Sequence, residues 1–365
     1  MRVDANSSQS NNFDIIRFFF ACIVILSHSF PIGTGSNDSE PFFMMFETTM
    51  GDLAVAGFFT ISGYLILASW QRRKSLFDYM RKRFLRIYPG WLTVNLLTII
   101  ILLAMSMISL REFLNWIPGI LILKQFETSK AFATNIYSGT INGSLWSIPY
   151  EWACYLVLMG IGFAQLLRSP RRLAIFTGVV LLVAAAINVG ADIYELSVHP
   201  RLFLLIKTSS FFLVGSCFYE YREKIEFHKT WFFVSLAGCL LAGLVPIVKP
   251  LILPVAMTYA VFYAAFQRRI CFHHFGKYGD FSYGIYLYAF PIQQMIVYAN
   301  GGSMNPFLLF LLATPASILA GIASWYGVER WCLPRRRRRE TANLHPSTAG
   351  SDQDNSTHLS TDQFN

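Results

Sequence analysis

A guanidinium and an imidazole share one apolar stretch. Arg17 and His28 both lie within NFDIIRFFFACIVILSHSF, Asn12 to Phe30. Their eleven-residue separation is about three helical turns, or roughly 16 Å at about 1.5 Å per residue. At about 100° per residue the two side chains also share a face. A charged group inside hydrocarbon costs roughly 2.5–3.5 kcal/mol on the least severe scale, so such groups rarely occur there without a use. One helix thus offers a cation near one membrane surface and a titratable ring near the other.

Other residues have the right chemistry to join them. Glu151 sits about two turns into a later apolar stretch, and a carboxylate there must find a partner or take up a proton. At the depth of His28 it would hold and polarise the imidazole, a general-base arrangement. A structural hydrogen bond to a Trp, a Tyr or the backbone is the alternative. Arg83 and Arg86, in QRRKSLFDYMRKRFLRIYPGW, are three apart and share a helix face. Two guanidiniums there suit bidentate phosphate clamping; a basic anchor for anionic lipid is the competing reading. Ser62 beside Gly63 is a small polar contact, and Gly51, Gly57 and Gly63 suit close helix packing. Lys207, inside another apolar stretch, is either a functional charge or the partner of an acid. Tyr283, Tyr286 and Tyr288 with Gln293 and Gln294 form a polar stripe suited to hydrogen bonds between helices. No His or Cys spacing makes a metal cage, and no disulfide framework is expected.

The elements that position these groups are membrane spans. The chain has 365 residues, of which 54% are hydrophobic and only 14% charged, against about 25% charged in ordinary soluble domains. The expected fold is therefore an all-α polytopic membrane protein. Ten apolar stretches reach spanning length: 13–31, 52–70, 87–109, 145–167, 173–190, 201–220, 230–248, 250–267, 281–299 and 306–328. Residues 113–126 are too short and too broken by Pro118 and Gly119, and read as interfacial or re-entrant. With the N-terminus inside, 23 Lys and Arg fall on the cytoplasmic side and 5 on the other. This supports ten spans with both termini cytoplasmic. It also explains the net charge of +9 without nucleic acid. Phe18–Ile25 followed by Ser27-His28-Ser29 has the form of a signal peptide, but cleavage there would separate Arg17 from His28. The expected organisation is a short cytoplasmic N-terminus over 1–12, a membrane domain over 13–334, and a tail over 335–365. The tail opens with five arginines and is polar thereafter, so disorder is expected.

In order along the chain, these stretches resemble the signatures of the membrane acyltransferase-3 family. FDIIRFFFACIVILSHSF is similar to its first helix, FFTISGYLI to its second, and RKRFLRIYPGW to its basic loop. NGSLWSIPYEW, FSYGIYLYAFP and the terminal VERW…P are similar to its later motifs. The resemblance covers about residues 12–334. Two departures stand out. Ala56 and Gly57 replace an Asp that many members carry before the FF pair, and Ala289 replaces a late His, so His28 is left to carry the acid–base work alone. The chain also shows no attached SGNH-type domain, so the membrane part is expected to perform the whole transfer.

The resemblance implies an O-acyltransferase of the bacterial cell inner membrane. It implies acetyl-CoA as cytoplasmic donor, without a metal, and an extracytoplasmic carbohydrate acceptor. That acceptor would be an exopolysaccharide, an O-antigen or a lipid-linked repeat unit, with polysaccharide-synthesis machinery and membrane lipids as partners. On this reading His28 and Glu151 are catalytic and Arg17, Arg83 and Arg86 hold the donor. Ser62, Asn142, Trp146 and Tyr286 support the substrates. A transporter or flippase for a lipid-linked saccharide accommodates the same spans and intramembrane charges.

Overall fold

In a computed structural model, residues 11–73, 75–194, 198–267, 272 and 275–333 are described, without the side chains of 191–194. The expected tail over 335–365, most of the N-terminal segment 1–12, and Cys271, His273 and His274 lie outside the described residues.

Each of the ten apolar stretches contains a helix. They are α1 (Phe13–Thr34), α3 (Met50–Gln71), α4 (Leu76–Ala104), α6 (Ile148–Phe163), α7 (Pro170–Tyr194), α8 (Pro200–Glu220), α9 (Lys229–Leu244), α10 (Lys249–Ala265), α11 (Ser282–Ala299) and α12 (Pro306–Ser324). Short α2 (Pro41–Phe46), α5 (Leu110–Leu121) and α13 (Arg330–Cys332) complete the set, with a π-turn over Trp325–Glu329. Among the described residues there is no strand, only the isolated bridge between Glu127 and Thr140.

Seven of these helices are long and apolar enough to cross a membrane: α1, α3, α4, α7, α8, α10 and α12. α6 and α9 have 16 residues each, short of the roughly 20 that a span requires. α11 has 18 residues and carries the polar stripe. The outer surface is apolar, with Leu97 and Ile100 on α4, Val179 and Leu182 on α7, and Leu311 and Leu319 on α12 all exposed. A continuous apolar exterior suits lipid rather than water. The molecule is a multi-pass membrane protein.

Contacts at the helix ends fix their directions. The start of α1 meets the end of α10, where the Asn12 N–H donates to the Ala265 carbonyl at 2.8 Å. The far end of α1 meets the segment before α12, through the Met304 N–H and the Gly33 carbonyl at 3.2 Å. α3 runs back, with Gly51 against Ser27 and Gln71 donating to Glu220 at the end of α8 at 2.7 Å. The bundle therefore has an Arg17 end and a His28 end.

Close backbone approach holds α3 to α8. A Cβ on Gly63 would stand 1.8 Å from the Phe212 carbonyl oxygen, and one on Gly215 would stand 2.1 Å from that of Thr60. The Ser216 hydroxyl donates to the Gly63 carbonyl at 3.0 Å. The expected packing role of these small residues is what the structure shows. α5 is a single amphipathic helix of 12 residues, about 18 Å long and too short to span. Ser109 and Glu112 form its capping box. Its last turn is fixed to α4 by Tyr88 Oη and Trp91 Nε1, which donate to the carbonyls of Leu121 and Ile120 at 2.8 and 3.0 Å. Leu110, Leu114 and Leu121 stay exposed, as in a helix lying along the interface.

Candidate active site

The Arg17 end gathers the basic groups. Arg17 Nη1 contacts Asp280 Oδ2 at 2.6 Å, and Arg86 Nη2 pairs with the same oxygen. The Ser282 hydroxyl donates to Asp280 Oδ1 at 2.5 Å. Burial pushes this carboxyl up, but Arg17, Arg86 and Ser282 outweigh it and hold it well below the usual carboxylate range. Asp280 ties together α1, α4 and the segment entering α11. Arg83 is different. One Nη reaches Ser69 Oγ at 3.4 Å, the guanidinium faces the Tyr155 ring at 5.7 Å, and its buried Nε has no hydrogen-bond partner. Arg83 therefore retains donor capacity that Arg17 and Arg86 have partly spent on Asp280.

A file of polar groups leads away from this cluster. Ser144, Ser147, Glu151 and Tyr155 follow one another at steps of three and four residues, on the 3-10 turn Gly143–Ser147 and α6. That spacing keeps them on one face. Tyr155 Oη donates to Glu151 Oε1, and Ser62 of α3 approaches the same hydroxyl. Tyr79 Oη donates to the Tyr155 carbonyl at 3.0 Å, linking α4 to α6. One turn on, Ser147 Oγ lies 2.7 Å from Tyr286 Oη, which donates to the Ser144 carbonyl.

The file ends at His28, whose Nδ1 lies 3.5 Å from Ser144 Oγ. The Phe290 ring stands edge-on to the imidazole at 5.3 Å between centroids. Asn142 fixes the turn that carries Ser144. Its side-chain amide donates to the Leu287 carbonyl at 2.9 Å, and its Oδ1 accepts from the Ser144 N–H at 3.2 Å. Trp146, on the same turn, is half-buried with its ring 5.9 Å from that of Tyr150.

The expected contact between His28 and Glu151 is not formed; Glu151 bonds to Tyr155 instead. From Ser144 through a 3-10 turn and one α turn, the rise places Glu151 roughly 12 Å nearer the Arg17 end. The acid whose charge acts on His28 is Asp52, in the first turn of α3. Asp52 also resolves the two readings of Lys207, whose Nζ lies 3.7 Å from its Oδ1. The polar stripe of α11 bonds between helices, with Tyr283 Oη on the Ile87 carbonyl and Gln293 Nε2 on the Ile25 carbonyl, both at 2.8 Å.

Asp280, Asp52 and Ser144 were not singled out by residue type. Asp280 directly precedes the Tyr-rich stretch and Asp52 opens an apolar span, and these positions were the available signals. Glu40 gave less, since nothing in a short acidic loop marks a residue that is 0% exposed. Its Oε1 accepts from Ser27 Oγ at 2.9 Å and from the Met50 N–H at 2.7 Å, and its Oε2 has no partner.

Residues 10–326 match the acyltransferase-3 family, described as an acyltransferase domain. An "O-acetyl transferase" of Shigella phage Sf6 is 29% identical over 363 residues, covering 90% of this chain and 97% of that protein. "Nodulation protein 10" of Rhizobium leguminosarum bv. viciae is 29% identical over 167 residues, 42% of this chain and 44% of that protein. "Acyltransferase MdmB" of Streptomyces mycarofaciens is 25% identical over 144 residues, 39% of this chain and 36% of that protein. No solved structure matches the chain at a significant level. With the family match covering residues 10–326, most of the chain, the protein belongs to the acyltransferase-3 family of membrane acyltransferases.

Proposed function

We propose that this acyltransferase moves an acetyl group from cytoplasmic acetyl-CoA to a hydroxyl of an extracytoplasmic carbohydrate. The supporting observation is the file of polar groups from Arg83 to His28, which joins a basic end to an imidazole across the bundle. The likeness to an "O-acetyl transferase" over 90% of the chain points the same way.

Arg83, with its unfilled Nε, is the first contact for the donor's phosphates. Arg17 and Arg86 add positive charge beside it, each already held in place by Asp280. The arm of the donor would follow the face lined by Tyr155, Glu151, Ser147 and Tyr286. Glu151 supports this path by holding Tyr155, and its charge also acts on Arg86.

His28 performs the proton transfer. With Nδ1–H donating to Ser144 Oγ, Nε2 keeps its lone pair and accepts the proton of the sugar hydroxyl. The hydroxyl oxygen then attacks the thioester carbonyl, the C–S bond breaks, and the imidazolium returns its proton to the departing thiolate. In a covalent variant Nε2 attacks the thioester carbonyl first and the C–S bond breaks to release the thiolate; the sugar hydroxyl then takes the acetyl group from Nε2, and its proton passes to the thiolate. The test is transfer of labelled acetate from acetyl-CoA in proteoliposomes, with mass spectrometry of surface polysaccharide from cells with and without the gene. A gain of one acetyl mass that disappears in His28→Ala is the expected result. Unchanged acetate content with impaired polysaccharide export would replace this reading with transport.

A further inference from the structure

The turn of α1 that carries His28 is weak as a helix. Pro31 lies inside α1, and without an N–H it cannot donate to the carbonyl four residues back, that of Ser27. One rung of the helix is therefore lost at the residue before the imidazole, and neighbouring elements must hold the turn.

Three consecutive residues receive that support from three directions. His28 faces Ser144 on the turn before α6. The Ser29 hydroxyl accepts from Gln293 Nε2 of α11 at 2.8 Å. The Ser27 hydroxyl donates to Glu40 Oε1 at 2.9 Å. At about 100° per residue these contacts grip α1 from different sides and fix its rotation.

Glu40 does more than hold Ser27. The same oxygen accepts from the Met50 N–H at 2.7 Å, and Met50 opens α3 two residues before Asp52. The position of Glu40 is set by its own backbone at the start of α2. Its N–H donates to the Asn37 carbonyl at 2.8 Å, and its carbonyl accepts from the Met44 N–H at 3.0 Å. One carboxyl oxygen thus joins the residue before His28 to the first turn of the helix bearing Asp52, the acid whose charge acts on the imidazole. α1 and α3 meet closely at this joint, where a Cβ on Gly51 would stand 2.9 Å from Ser27 Oγ. The other carboxyl oxygen, Oε2, is buried without a partner, a costly arrangement that calls for a gain elsewhere.

We infer that Glu40 is a positioning residue for the transfer step: through Ser27 and Met50 it fixes the direction of the His28 ring and its spacing from Asp52. The inference rests on the proposed role of His28 as base. Misplacing a reacting group by about 1 Å can cost about 100-fold in rate, so Glu40 reaches the chemistry without touching substrate.

The test follows labelled acetyl-CoA with the full chain in proteoliposomes loaded with the host's surface polysaccharide, and rates are given per folded molecule counted by size exclusion in detergent. Glu40→Ala removes both hydrogen bonds and should lower kcat about tenfold, with donor KM unmoved and the pH profile of kcat displaced. Glu40→Gln keeps an acceptor for Ser27 and Met50 and should restore most of kcat and the wild-type profile. A merely structural role would lower folded yield and leave the profile in place. Should Glu40→Ala not fold, Ser27→Ala removes one of the two bonds and should give a smaller fall in kcat with a displaced profile. Wild-type kcat and profile in folded Glu40→Ala or Ser27→Ala would overturn the inference. So would a Glu40→Gln enzyme as impaired as Glu40→Ala, which would assign the effect to charge and not to position. Failure of the broader reading looks different: His28→Ala would still transfer acetate. Loss of transfer in His28→Ala, with both other alanine variants unaffected, would remove Glu40 alone.

Discussion

His28 Nδ1 stands 3.5 Å from Ser144 Oγ, joining the last part of α1 to the turn that opens α6. That distance is at the long limit of a hydrogen bond, and catalytic hydrogen bonds often tighten only when substrate is bound. In the direction Nδ1–H to Oγ, it leaves Nε2 free for the proposed role of base. On the proposed mechanism, His28→Ala removes the general base and is expected to cut kcat by about 100-fold or more. Ser144→Ala is expected to lower kcat by roughly tenfold with little change in donor KM, since it loosens the ring without removing it. Steady-state kinetics in proteoliposomes, with the pH profile of kcat, separates the two effects. A Ser144→Ala enzyme with wild-type kcat and pH profile would remove the serine from the mechanism.

Asp280 is the shared anchor of two guanidiniums, and Asp280→Asn leaves both without their carboxylate. Breaking a largely buried ion pair by removing one partner costs about 3–5 kcal/mol, so the thermal midpoint in detergent should fall by several degrees. The pH dependence follows from the depressed carboxyl. Its stabilising contribution is complete above the ordinary carboxylate range and is lost only as pH falls through the lower folded-state value. Wild-type unfolding should show no loss from this group between neutral pH and pH about 5.

Glu40 has the opposite sign. Burial pushes its carboxyl up, against the hydrogen bonds from Met50 and Ser27 and with the nearby Asp52 charge adding to the rise. Its contribution is therefore fully present below the ordinary carboxylate value and is lost as pH rises through the raised one. Glu40→Gln keeps an acceptor for Ser27 and Met50 while removing the titration. Thermal unfolding across the acid-to-neutral range should be flatter in the variant than in the wild type. Two parallel curves would show that Glu40 does not titrate in that range.

Gly63 and Gly160 make a matched pair. A methyl group at Gly63 meets a backbone carbonyl at 1.8 Å, whereas one at Gly160 meets nothing within 4 Å. Gly63→Ala must push α3 from α8 and is expected to cost about 1–3 kcal/mol or more. Gly160→Ala should be neutral or slightly stabilising. Folded yield and thermal midpoint of the two variants measure the difference.

Much of this was legible along the chain because α-helix geometry is fixed. The Arg17 to His28 separation and shared face follow from rise and rotation, with no tertiary information. The ten apolar stretches and the packing glycines follow from the chemistry of hydrocarbon. The identity of the acid acting on His28 was not legible. Asp52 and Glu151 are both acids near the start of an apolar span, but only Glu151 stood out in the sequence. Which of them influences the imidazole depends on the relative depth of neighbouring helices, and one turn of offset, about 5.4 Å, takes a carboxylate out of hydrogen-bond reach.

The three arginines show the same limit. The sequence determined that Arg17, Arg83 and Arg86 are basic groups beside apolar helices, because charge and periodicity are local properties. Only the tertiary structure decided that Asp280 engages Arg17 and Arg86 while Arg83 keeps an unpartnered Nε. The physical reason is that a carboxylate 194 residues from Arg86 along the chain becomes its partner only when helix packing closes the distance. Hydrogen-bond capacity depends on that distance and direction, which residue type alone does not contain.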